Sequence, residues 1–237
     1  MSSPGTPWDR VHTVLVLGLH KTGTHAALKF FAEHFSVKVE PKMRRGAEGD
    51  GVAYLPSGQK LWKHSFPACI KLHAEHGIGV VITSRHPVPW IASLVEESFN
   101  IRPASDNKTN GGFPVDLLLQ ATDVRICLQR VGQFPGMLQD HRSFSTVELW
   151  GDYMHGYFHL RQYLNDRGIP CTILRSEDLI MQPDVIFQVF RRLGLRASVS
   201  EVQTVIGATS RTRELDAEGL ALRSQSKTGL LQSRGIF

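Results

Sequence analysis

Along the chain, short β-branched runs alternate with stretches whose apolar residues recur at helical spacing. TVLVLG (13 to 18) reads as a buried strand, and THAALKFFAEHF (24 to 35) as a helix with Ala27, Phe30, Phe31 and Phe35 on one face. GIGVVITSR (77 to 85) predicts a second strand; after His86 and Pro87, PWIASLVEE continues as a helix with a proline near its start. PCTILR (170 to 175) predicts a third strand, and in the following SEDLIMQPDVIFQVFRRLGL Pro183 opens a helix that Gly194 ends. Between the second and third units a long helical region, about 145 to 167, carries Leu149, Tyr153, Tyr157, Leu160 and Leu164 on one face. Alternating β and α units predict an α/β fold: one domain over residues 1–237, with a central, mostly parallel sheet flanked by helices. Residues 1–11 and 224–237 are expected to be peripheral. Two segments lack any period: the loop NIRPASDNKTNGGFP (100 to 114) and the basic tail LRSQSKTGLLQSRGIF (222 to 237).

Composition narrows the class. A chain of 237 residues with 41% hydrophobic content can bury a core. Its apolar runs stop short of the roughly 18 residues of a membrane span, and Met1 to Arg10 is polar, so the expectation is a cytoplasmic protein with no membrane partner. Cys69, Cys127 and Cys171 are far apart and lack metal-like spacing, which predicts buried thiols and not a disulfide framework or zinc site. The net charge of +5 suits an anionic ligand, but four Tyr, four Trp and no concentrated Lys/Arg block argue against a nucleic-acid platform.

Candidate chemistry gathers in three places. In GLHKTGTH a helix follows a glycine-bearing turn, so unpaired backbone N–H groups and the helix dipole favour an anion, with Lys21 and two threonine hydroxyls added. The order differs from G-x-x-x-x-G-K-[ST], because Lys21 precedes Gly23; a turn that is merely tight is the alternative. In TSRHPVPWIAS, Arg85 ends a strand and Ser93 lies about two helical turns beyond, so guanidinium and hydroxyl can share one phosphate. A surface ion pair is the competing reading of Arg85. In KLWKHSFP, Lys63 and His64 end a short strand before a proline-marked turn; taken singly, such a histidine is structural.

Taken together and in order, these motifs resemble the PAPS-dependent sulfotransferases, from about residue 13 to about 195. KTGTH (21 to 25) resembles the family's 5′-phosphosulfate loop, Arg85 and Ser93 its 3′-phosphate motif, and WKHSFP the segment of its catalytic histidine. SEDL and QPDVIFQVFRRLGL resemble its later E-D-L, D-P and F-L-G-L pattern. The resemblance implies a P-loop NTPase-like fold and sulfuryl transfer from 3′-phosphoadenosine 5′-phosphosulfate (PAPS) to a hydroxyl or amine of a small-molecule acceptor, releasing adenosine 3′,5′-bisphosphate with no metal required. It implies that Lys21 stabilises the leaving phosphate, that the amides and hydroxyls of Thr22, Gly23, Thr24, His25 and Ala26 hold the 5′-phosphate, and that Arg85 and Ser93 hold the 3′-phosphate. It further implies His64 as general base.

Departures from the family pattern are local. Arg175 and Ser176 precede Glu177 where many cytosolic members carry tyrosine before the E-D pair, and the lysine two residues before the histidine is replaced by Trp62, with Lys63 adjacent. The C-terminal R-K-G and G-x-W signature is not recognisable; Arg223, Lys227 and Arg234 are basic residues of the tail able to serve the 3′-phosphate. Two other readings stand beside this one: an atypical ATP-dependent small-molecule kinase, and a nucleotide-binding protein without catalysis. Trp150, Tyr153, Tyr157 and Phe158 are read as core or as the wall of an acceptor pocket.

Overall fold

The computed structural model describes residues 7–42, 51–55, 57–58, 60–72, 77–96, 101–103, 124–126 and 146–202. Strand β1 (Thr13–Gly18) is buried along its whole length, as its unbroken apolar run requires. It feeds helix α1 (Thr24–His34), and the chain returns through β2 (Lys38–Glu40). A short antiparallel pair, β3 (Val52–Tyr54) and β4 (Lys60–Trp62), follows. Next come β5 (Ile78–Ser84), α2 (Pro87–Glu96) and a second antiparallel pair, β6 (Ile101–Pro103) with β7 (Val124–Ile126). Helix α3 (Thr146–Asp166), β8 (Cys171–Arg175), α4 (Ser176–Met181) and α5 (Pro183–Arg192) complete the elements.

The main sheet has the order β2-β1-β5-β8, and its three pairings are all parallel, as the alternating pattern predicts. Alternation along the strands divides the core into two layers. Leu15, Leu17, Val80 and Ile82 face Tyr153, Tyr157, Leu160 and Leu164 of α3. Val14, Val16 and Val81 face Phe30 and Phe31 of α1 and Phe187 and Phe190 of α5.

The predicted stripe on α1 is buried, including Phe35 just past its end. Tyr153 and Tyr157 are likewise core; the side chain of Leu149 lies outside the described residues, as do the side chain of Cys69, Cys127, most of the 100–114 loop and the 222–237 tail. The start of the chain corrects an expectation: within 1–11, Trp8 and Val11 are buried, and the Trp8 indole meets Phe190 edge-on at 5.3 Å. One aromatic large enough to seal the core edge outweighs the polar residues around it. Among the described residues no helix is long and apolar enough to cross a membrane.

From β1 the chain moves to β2 on one side, and β5 then adds to the other side. The carboxyl ends of β1 and β5 therefore flank the reversal in strand order, where open α/β sheets form a crevice.

Candidate active site

Gly18, Lys21 and Gly23 shape the turn between β1 and α1. The register pairs Gly18 with Thr83 of β5, and a Cβ on Gly18 would overlap the Thr83 hydroxyl. Gly23 takes φ 84° at the helix N-cap, against Ser176, and Lys21 adopts φ 65°, uncommon for a residue with a side chain. The Arg85 Nη1 group donates to the Lys21 carbonyl (3.2 Å), and the Trp90 indole N–H donates to the His20 carbonyl (2.7 Å). Two donors from the next βα unit thus hold the loop in this conformation.

Residues 22 to 26 play unequal parts. The Thr22 hydroxyl is buried and donates to the Leu19 carbonyl (2.6 Å) while paired with Thr83 Oγ1 (2.9 Å). These bonds hold the loop against β5. Thr24 and Ala26 are buried in the first turn of α1. His25 is exposed, and its Nε2 accepts from Lys63 Nζ at 2.7 Å.

Arg85 and Ser93 meet as the spacing predicts. Arg85 Nη1 donates to Ser93 Oγ at 2.7 Å, and Ser93 Oγ donates to the Pro89 carbonyl at 3.0 Å, one turn back on α2. The same Nη1 contacts Lys21, so one guanidinium joins this pair to the glycine-bearing loop. The Trp150 indole donates to the Arg85 carbonyl (3.0 Å), and Glu177 Oε1 accepts from the His86 amide (2.9 Å).

His64 stands on the other side of the loop, just beyond β4. Its Nδ1–H donates to the Gly18 carbonyl at 2.6 Å, which leaves the lone pair on Nε2. The His20 ring stacks on it with centroids 3.9 Å apart, and Trp62 contacts both rings edge-on. Burial holds His64 well below the usual 6.5, helped by His20 and Lys63, against the opposing pull of the Gly18 carbonyl. Burial also lowers His20 to about 3, with Lys63 and Lys21 adding to the effect. Both rings are therefore neutral at physiological pH. Tyr153 Oη donates to the His64 carbonyl (3.2 Å) and Tyr157 Oη to the Ser65 carbonyl (3.4 Å), so α3 buttresses the histidine segment from the core side.

Lys21, His64, Arg85 and Ser93 thus come from three segments that meet at the 18–24 loop: the loop itself, the stretch after β4, and the β5–α2 unit. His20, Trp90 and Trp150 are additional site residues without a prior assignment to these contacts. Of the aromatics weighed as an acceptor wall, Trp150 is half-buried at the Arg85 carbonyl, Tyr153 and Tyr157 are core, and Phe158 is exposed. No group of three or more metal-ligating side chains occurs among the described residues. No protein-family model, curated protein or solved structure matches the chain.

Proposed function

We propose that the chain is a PAPS-dependent sulfotransferase of P-loop NTPase-like architecture, acting on a hydroxyl or amine of a small acceptor. The observation that carries the reading is the Arg85 guanidinium, whose Nη1 is bonded at once to Ser93 Oγ and to the Lys21 carbonyl. It links two anion-favouring subsites: the amino end of α1 with Lys21, and the Arg85–Ser93 pair. A donor carrying one phosphate at each end of a ribose suits such a pair better than a linear triphosphate does.

Within this reading the α1 amino end and Lys21 receive the 5′-phosphosulfate, while Arg85 and Ser93 receive the 3′-phosphate. His64 Nε2 takes the proton of the acceptor as its oxygen or nitrogen bonds to sulfur. The bond from sulfur to the bridging phosphate oxygen breaks in line, and Lys21 offsets the charge that develops on that oxygen. Lys21, Lys63 and Arg85 supply positive charge of the kind that metal ions supply in phosphoryl transfer.

The test is transfer of ³⁵S from labelled PAPS to a panel of small alcohols, phenols and amines, with binding of adenosine 3′,5′-bisphosphate measured alongside. Acceptor-dependent transfer that is lost in Lys21→Ala supports the reading. Absence of both transfer and bisphosphate binding overturns it, and magnesium-dependent ATP turnover on the same acceptors would replace it with a kinase.

A further inference from the structure

On α3, His155 and His159 stand one helical turn apart and both are exposed. Residues four apart on a helix have neighbouring Cβ atoms, so two such side chains can close on a common point. These two do: their Nε2 atoms are 3.1 Å apart, with ring centroids at 4.4 Å and planes inclined by 78°.

That separation fits two nitrogens on one metal ion. With metal–nitrogen bonds of about 2.0–2.1 Å, a tetrahedral centre sets two nitrogens roughly 3.3 Å apart and a square-planar centre sets adjacent ones roughly 2.9 Å apart. The observed distance lies between them, so the rings need only a small adjustment to chelate. A single hydrogen bond between the imidazoles also fits the distance, and the test below separates the two.

The surroundings define what kind of ion this is. Imidazole nitrogen favours the borderline divalent ions, zinc, copper and nickel, over magnesium or calcium. Asp152, one turn before His155, is an exposed carboxylate on the same helix. His159 also lines an open groove of about 480 Å³ between α3 and β8, with Phe158, Arg161, Asp166 and Cys171. Cys171 is buried in the wall of this groove, and that burial pushes its thiol up to about 12, against the pull of Arg161.

We propose that His155 and His159 form a bidentate surface site for a divalent transition-metal ion, with the remaining coordination positions open to water or an added ligand. The site is independent of sulfuryl transfer. Metal binding requires both imidazoles unprotonated, so affinity weakens as pH falls.

The experiment is equilibrium titration of the full chain with Cu²⁺, and separately with Ni²⁺, at neutral pH. It is followed by electron paramagnetic resonance of the copper form. The expected result is one ion held with nitrogen coupling. Either single variant, His155→Asn or His159→Asn, should weaken it on the order of 10²-fold, because the second imidazole binds at high effective concentration. The double variant should lack the site while keeping its circular-dichroism spectrum, since both positions are exposed. Other histidines of the chain would register as ions that persist in the double variant. The same affinity and stoichiometry in the double variant as in the parent overturns the proposal, and so does a parent chain that binds no ion, which leaves the pair as a hydrogen bond.

Discussion

His20 and His64 lie face to face, with ring centroids 3.9 Å apart and planes inclined by only 26°. One belongs to the loop before α1 and the other follows β4, so the stack ties the glycine-bearing loop directly to the proposed base. His20 Nε2 is buried with no hydrogen-bond partner among the described residues, a cost that a packing residue without a polar atom would not carry.

This arrangement predicts opposite outcomes for two substitutions. His20→Phe keeps an aromatic face against His64 and removes the unpartnered nitrogen, so the melting temperature should hold or rise and turnover should fall by less than about tenfold. His20→Ala leaves a void beside His64 and should cost about 1–3 kcal/mol of stability, with turnover falling while KM for the donor stays near its original value. Thermal melts and a kcat-against-KM comparison of the two variants decide it. Equal loss in both would remove the stack from the account.

The two depressed histidines also set an acid limit on stability. Their folded-state values lie below the ordinary 6.5, so between those values the unfolded chain binds more protons than the folded one. Stability should be full above about pH 6.5 and decline as pH falls below it, for His20 down to about 3. Melts from pH 7 to 4 should therefore show a steeper acid loss in the parent chain than in His20→Phe. Parallel curves would mean that His20 does not titrate below its ordinary range.

For catalysis, the sign is the same and the consequence different. A base must be unprotonated, and His64 already is at physiological pH, so kcat/KM should be flat from about pH 6.5 to 8 with its acid limb below the ordinary imidazole value. His64→Ala should lose on the order of 10² to 10⁴ in turnover while adenosine 3′,5′-bisphosphate still binds. A profile that bends at an ordinary imidazole value would show that the ring is solvated during turnover.

Thr22 illustrates how much of the site could be read from residue order and how much could not. KTGTH marks the loop because Gly18 must lie beside Thr83 and Gly23 must take a positive φ, constraints that leave a glycine signature in the sequence. The hydrophobic runs of β1, β5 and β8 and the Arg85–Ser93 spacing are similarly local, and all are legible. The inward turn of the Thr22 hydroxyl depends on Thr83, which lies 61 residues away, and no local pattern encodes it. The Trp90 bond to the His20 carbonyl and the His20–His64 stack likewise join distant segments. Strands β2 and β3 escape periodicity for a simpler reason: each is three residues long, too short to show alternation.

An internal Thr22 hydroxyl makes a clear prediction. Thr22→Val preserves shape but removes the bonds to Leu19 and Thr83, leaving the buried Leu19 carbonyl short of a side-chain donor. The expected cost is about 1–3 kcal/mol in chemical denaturation. Donor affinity should change little once the protein is assayed well below its melting temperature. Full stability with lost donor affinity would instead return Thr22 to the phosphate.

Arg85 offers the sharpest discrimination between donor classes. Its Nη1 serves both Ser93 and the Lys21 carbonyl, and its planar guanidinium offers a phosphate a fork of N–H groups that the ammonium of lysine lacks. Arg85→Lys should therefore lose 3′-phosphate recognition despite keeping the charge. With charged hydrogen bonds worth about 1.5–3 kcal/mol, adenosine 3′,5′-bisphosphate should weaken by roughly 10- to 150-fold. Adenosine 5′-phosphate should weaken much less, because the α1 amino end and Lys21 are retained. Ser93→Ala should shift selectivity in the same direction by a smaller amount, since it removes a neutral partner and leaves the guanidinium in place. Calorimetric titration of both nucleotides against the three proteins measures the ratio directly. Equal losses for the two nucleotides would mean that Arg85 acts only through the Lys21 carbonyl, as a brace for the loop, and the 3′-phosphate would then need another host.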